Sequence, residues 1–175
     1  MNNNEDFQKL IAKANEAKKD NKLDLSRDED LSITIMNLVS IEEHFFFTAA
    51  KTGDNKHLQL LNQVREMRKN LLAKIVKNPK GEEWCISKHL LAASMRLMEV
   101  GTKELNKGNT IDAEDFFKKS YELYSLFWGI NLKVIDTANI QKIDDQAINK
   151  EDKEKKGFMG TLGSLVKKLV DCCKE

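Results

Sequence analysis

Apolar residues recur at helical spacing along four long stretches of this chain, and only short turns separate the stretches. Few folds satisfy both conditions. Leu31, Ile35, Leu38, Val39, Phe45, Phe46 and Ala49 fall on one stripe with a period of about 3.6 residues, and Leu60, Leu61, Val64, Met67, Leu71, Leu72 and Ile75 form a second. The breaks are chemically plain: Gly53, the Asn-Pro-Lys-Gly run at 78–81, and Gly108. Ser26 followed by Glu29 has the form of a capping box and predicts a helix from near Arg27 to about Thr52. Asp54 is placed to cap the next, which runs to about Lys77. Glu82 and Glu83 suit the positive start of a third, which ends near Lys107. Thr110 is placed to cap a fourth, which carries Phe116, Phe117, Leu123, Tyr124, Phe127, Trp128 and Ile130. With one proline and no alternating β-branched runs, the chain reads as all-α. Short turns favour antiparallel neighbours, so the expected architecture is an up-down four-helix bundle or a pair of stacked helical hairpins. Phe7, Leu10, Ile11 and Ala14 add a short N-terminal helix. The organisation expected is a bundle domain over residues 1–143, a charged linker over 144–157 and an amphipathic C-terminal helix over 158–175.

Two charges interrupt this pattern. Glu42 lies in the middle of the first stripe and Arg68 on the midline of the second, with His57 a few turns earlier. Neither can reach water without turning its stripe outward, and a buried charge needs a partner. The reading is a buried ion pair across the first hairpin, a device that fixes register more often than it adds stability.

Lys and Arg total 29 against 28 for Asp and Glu, a net charge of +1. The basic residues are interspersed with acids, and the aromatics fall on core stripes. That excludes the concentrated basic and aromatic surface that nucleic acid requires. Arg65, Lys69, Arg96 and Lys103 read as solvated faces. The polar, acidic start lacks the form of a secretory signal, and no apolar run reaches the roughly 18 residues that span a bilayer, so a cytoplasmic location is expected. Cys85, Cys172 and Cys173 fit that compartment as thiols.

Gly101, Gly108, Ala113, Phe117 and Ser120 stand at spacings at which small residues let two helices approach and an aromatic wedges between them. Around these positions, over residues 94–127, the chain resembles a single helical hairpin of the tetratricopeptide repeat family. The resemblance implies helix-hairpin packing and a protein-binding role, and it supplies no catalytic residue.

A metal site is the chemical alternative. Glu42, Glu43 and His44 share one turn, while Cys85 and His89 are four apart on one helix face. Glu42 and His44 project about 160° apart and cannot hold one ion together. The candidate ligand set is therefore Glu42 or Glu43 with Cys85 and His89, holding one zinc or iron ion in a small metalloenzyme or sensor. The Glu-x-x-His pattern of carboxylate-bridged di-iron bundles is absent from the sequence, as are a phosphate-binding Gly loop, HExxH, CxxC and a serine nucleophile elbow.

The cleanest amphipathic segment lies at the C-terminus. Phe158, Leu162, Leu165, Val166 and Leu169 occupy one side, and Ser164, Lys167, Lys168, Asp171 and Lys174 the other. Such a face must be buried on the bundle, on another chain or at a membrane surface, where residues 158–173 would make the contact. The expected function is a non-enzymatic adaptor or regulatory interaction module. It binds a protein partner or a second copy through those five apolar residues and needs no cofactor.

Overall fold

The computed structural model describes residues 25–135, Thr137 and the isolated helical positions 8, 11, 12, 15 and 16. Among the described residues there are four helices and no strand: α1 (Leu25–Thr52), α2 (Lys56–Ile75), α3 (Glu83–Asn106) and α4 (Thr110–Asn131). The fold is an all-α helical bundle. α1 packs along α2, α3 packs along α4, and α1 also lies against α3, so the architecture is that of two stacked hairpins. The remainder of the short N-terminal helix, the linker over 144–157 and the amphipathic segment over 158–175 lie outside the described residues.

Turn chemistry sets the helix ends, with some departures from expectation. Gly53 and Gly108 adopt φ of 70° and 83°, a region where a side chain would be strained, and each directs the chain into the next helix. Asp54 accepts the Lys56 amide at 2.9 Å and so satisfies one of the orphan donors of α2. Ser26 lies inside α1, which starts at Leu25, so the expected capping box does not form the helix boundary. Thr110 is the first residue of α4 and does not cap it; Asn109 precedes the helix, and its side-chain amide donates to Glu104 Oε2 at 2.6 Å.

The core joins all four helices: Ile35 and Met36 from α1, Leu72 and Ile75 from α2 with Val76 just after it, Leu90 and Leu91 from α3, Phe127 and Ile130 from α4. Two stripes are narrower than their spacing suggests. Leu60 and Met67 of α2 are exposed, and the buried residues of that helix are Leu61, Arg68, Leu72 and Ile75. On α1, Phe46 is likewise exposed. A helix in a two-hairpin stack meets neighbours over a limited arc, so apolar residues at its margins stay in water.

The α3–α4 seam is built from small side chains at seven-residue intervals. Ser87, Ser94 and Gly101 on α3 and Ala113 and Ser120 on α4 are all buried, and the large, buried Phe127 continues the α4 register. The helices run antiparallel, so Ser94 meets Ser120. Each serine hydroxyl donates to the other's backbone carbonyl, Ser94 Oγ to Ser120 O at 2.9 Å and Ser120 Oγ to Ser94 O at 2.7 Å. Satisfying both hydroxyls on backbone oxygens removes the cost of burying them. At one end of the seam Asn131 Nδ2 donates to Ser87 Oγ at 3.0 Å. At the other, Gly101 lies beneath the Phe117 ring. A Cβ there would come within 2.7 Å of Phe117 Cε1 and 3.3 Å of the Ala113 carbonyl oxygen. Gly101→Ala is expected to destabilise by about 1 kcal/mol, because overpacking of about 1–3 kcal/mol outweighs the roughly 1 kcal/mol gained in helix propensity. Urea unfolding should show a smaller loss when the same change is made in a Phe117→Leu background. Equal losses in the two backgrounds would mean that the ring is not what the methyl meets.

Candidate functional site

Packing α1 on α2 carries Glu42 to the middle of the hairpin interface, where it meets two arginines. Arg68 Nε donates to Glu42 Oε1 at 2.6 Å, and Arg65 Nε donates to Oε2 at 3.0 Å. Arg68 is 1% exposed and Glu42 is buried, so this ion pair is held out of water. Arg65 sits at the rim and is half exposed. Its assignment to a solvated face needs correcting: the guanidinium leans inward because Glu42 has a second oxygen to share. Arg96 of α3 is exposed as expected and donates to Glu43 across the α1–α3 contact. Successive acidic residues of α1 thus face different helices, Glu42 toward α2 and Glu43 toward α3. His57 stacks on Phe45 with ring centroids 6.3 Å apart, and its Nδ1 is buried without a hydrogen-bond partner.

These contacts bear directly on the proposed ligand set of Glu42, Glu43, Cys85 and His89. Among the described residues no three of the His, Cys, Asp and Glu side chains are grouped so as to hold a metal ion. The physical reason is that guanidinium groups engage both carboxylates, and Cys85 is buried on a helix whose His89 is exposed. That arrangement gives the zinc or iron reading no support.

A second buried carboxylate was visible in the sequence only as an acidic helix start. Glu83 is 2% exposed. Its Oε2 accepts the Lys80 backbone N–H at 2.9 Å and Lys133 Nζ at 2.7 Å, and its Oε1 accepts the Thr137 hydroxyl. The bond back to Lys80 ties the first residue of α3 to the turn that precedes it. The bonds to Lys133 and Thr137 fasten the chain that leaves α4. Burial pushes this carboxyl upward. The hydrogen bonds from Lys133, Thr137 and the Lys80 amide, with the charge of Lys133, more than reverse that and lower it from its ordinary 4.5 to about 2. Lys133 takes a left-handed φ of 57°, uncommon for a residue with a side chain. It closes α4 by donating its amide to Ile130 O at 3.0 Å, and Val134 N–H bonds to Gly129 O at 2.9 Å, the pairing of a helix C-terminal reversal.

The described surface also carries apolar groups that the fold leaves in water. Phe46 and Phe47 near the end of α1 are 53% and 50% exposed, and their rings meet edge to face with centroids 5.2 Å apart. No helix among the described residues is long and apolar enough to cross a membrane. The predicted contact residues Phe158, Leu162, Leu165, Val166 and Leu169 lie outside the described residues. The chain matches no known protein family, no curated protein and no solved structure.

Proposed function

We propose that this chain is a non-enzymatic helical interaction module, an adaptor or regulatory protein that binds a protein partner. The observation that carries the reading is the Phe46–Phe47 pair, two large aromatic side chains left about half in water on a rigid helix. Aromatic anchors of this kind supply much of the binding energy when a partner desolvates them. The acidic groups that might otherwise suggest chemistry, Glu42, Glu43 and Glu83, are each occupied by cations in structural roles. The apolar side of residues 158–173 remains the proposed second contact element, with Phe158, Leu162, Leu165, Val166 and Leu169 as its contact residues. The test is affinity capture from native-cell extract with three baits: the intact chain, a Phe46→Ser/Phe47→Ser variant and a chain lacking residues 158–175. Both altered baits should keep their helical circular dichroism. Each should lose its captured partner by at least about tenfold, as expected when a hot-spot aromatic is removed. Capture unchanged in both would overturn the reading.

A further inference from the structure

We propose that the groove between the first turns of α1 and the C-terminal half of α4 binds a small organic cation of the alkylammonium class. The groove has a volume of about 420 Å³ and is lined by Glu29, Tyr121, Tyr124, Ser125, Trp128 and Leu132. That is the scale of a small-molecule site and too little for a docked helix. Tyr121, Tyr124, Ser125 and Trp128 follow one another at i, i+3, i+4 and i+7 on α4, with Leu132 just after it, so they form one continuous wall along a single helix face. The wall is aromatic, with its rings set at an angle to one another. The Tyr124 and Trp128 rings stand at 86° with centroids 6.2 Å apart. Tyr121 is 72% exposed, an unusual placement for an aromatic that serves only packing. Aromatic faces carry negative potential, and rings set at an angle present it to a cation from more than one side.

Hydrogen bonding fixes the orientation of this wall. The Ser32 hydroxyl donates to Glu29 O at 2.7 Å, which uses its one proton. The 2.8 Å contact between Ser32 Oγ and the Tyr124 hydroxyl therefore has Tyr124 as donor. The tyrosine proton is thus committed to Ser32, and its ring cannot swing away without breaking a bond that joins α1 to α4.

Charge decides which class of ligand fits. The carboxylates that hold the fold together are each answered by a cation: Glu42 by Arg65 and Arg68, Glu43 by Arg96, Glu83 by Lys133. Among the described residues none of the ion pairs engages the Glu29 carboxylate at the groove. Its neighbour Asp28 is fully buried. Arg27 Nε and Nη2 both donate to Asp28 Oδ1, at 3.1 and 2.7 Å, while Oδ2 is buried with no hydrogen-bond donor. The positive end of a helix is worth roughly half a charge. Asp28, Glu29 and Asp30, set against Arg27, outweigh it. Among the described residues the groove therefore joins aromatic side chains to a carboxylate, Glu29, that is held in no ion pair, which suits an organic cation and disfavours an anion.

The test uses the full chain with its two tryptophans, Trp84 and Trp128, labelled on the indole nitrogen. The probe is tetramethylammonium chloride, with sodium chloride as the salt control and tert-butyl alcohol as a neutral molecule of similar shape. A saturable displacement of the Trp128 indole signal is expected, with Trp84 unmoved and no saturable response to either control. Glu29→Gln and Tyr121→Ala should each weaken binding by about threefold or more. Both side chains are exposed, so neither change should disturb folding, and unchanged circular dichroism checks that. Choline and Nα-acetyl-lysine amide are titrated in parallel. Tighter binding of the first points to a free metabolite or headgroup, tighter binding of the second to a lysine side chain, and either supports the site. No saturation with any of the cations, an equal response to tert-butyl alcohol, or unchanged affinity in Glu29→Gln overturns it.

Discussion

Glu42→Ala is expected to remove about 3–5 kcal/mol of folding stability, the largest loss of any single side-chain truncation considered for this chain. The reason is the group left behind. Arg68 is 1% exposed and cannot be deprotonated, so without the carboxylate at 2.6 Å its Nε–H loses a charge-assisted bond in a place where water does not replace it. Domains of this size have about 5–15 kcal/mol to lose, so roughly a fifth or more of the total depends on one carboxylate. Two companion variants make the explanation testable. Arg65→Ala breaks the second contact to Glu42, at 3.0 Å, but that guanidinium is half exposed, so its removal should cost no more than about 1 kcal/mol. Replacing both buried partners, as Glu42→Leu with Arg68→Met, should recover part of that loss, because burying two charges is itself costly. Urea unfolding at neutral pH measures all three. A double variant as unstable as Glu42→Ala would show that the pair is needed for its own interaction energy rather than for neutralising Arg68.

That pairing also marks how far the sequence could be read. Glu42 and Arg68 stood out because each interrupts an apolar stripe at a position that periodicity can locate. Arg65 did not, because it sits at the edge of its arc, where a charge is ordinary. The small-residue seam was only partly visible. Gly101, Ala113 and Ser120 drew notice through the repeat-like spacing, while Ser87 and Ser94 continue the same seven-residue register on α3. Serine carries no hydropathy signal, and only the reciprocal bonds between Ser94 and Ser120 reveal that it faces inward. Glu83 was read for its favourable place at a helix start. Its partners Lys133 and Thr137 lie 50 and 54 residues further on, and no local pattern connects positions so far apart. The groove on α4 was hidden for a related reason. Tyr124 and Trp128 were counted as core aromatics, and helical spacing alone cannot tell a residue facing the core from one at its margin. The metal reading rested on periodicity, which places side chains on faces but does not say what already occupies them. Glu42 and Glu43 were engaged by guanidiniums from two different helices.

Between pH 6 and pH 3 the protein is expected to lose about 2 kcal/mol of stability through Glu83 alone. The direction follows from the position of its carboxyl, held at about 2 in the folded chain against an ordinary 4.5. A carboxyl that is harder to protonate when folded stabilises the fold fully above its unfolded value. That contribution, about 3 kcal/mol in all, fades as pH falls from about 4.5 toward 2. The depression arises although burial opposes it, because Lys133, Thr137 and the Lys80 amide all donate to the ionised form. Protonation would weaken the charge-assisted bond from Lys133 and present an O–H to groups that are themselves donors. Other carboxylates titrate over the same range, so the decisive quantity is a difference. Glu83→Gln keeps the shape, removes the titration and leaves an amide nitrogen facing donors. It should therefore be less stable than the parent by about 3 kcal/mol at pH 7, and the gap should close as pH falls. Chemical unfolding of both proteins at pH 7, 5, 4 and 3 supplies the test. Convergence at low pH means that Glu83 ties the start of α3 to the chain leaving α4 through its charge; parallel curves would mean that its shape alone holds that junction.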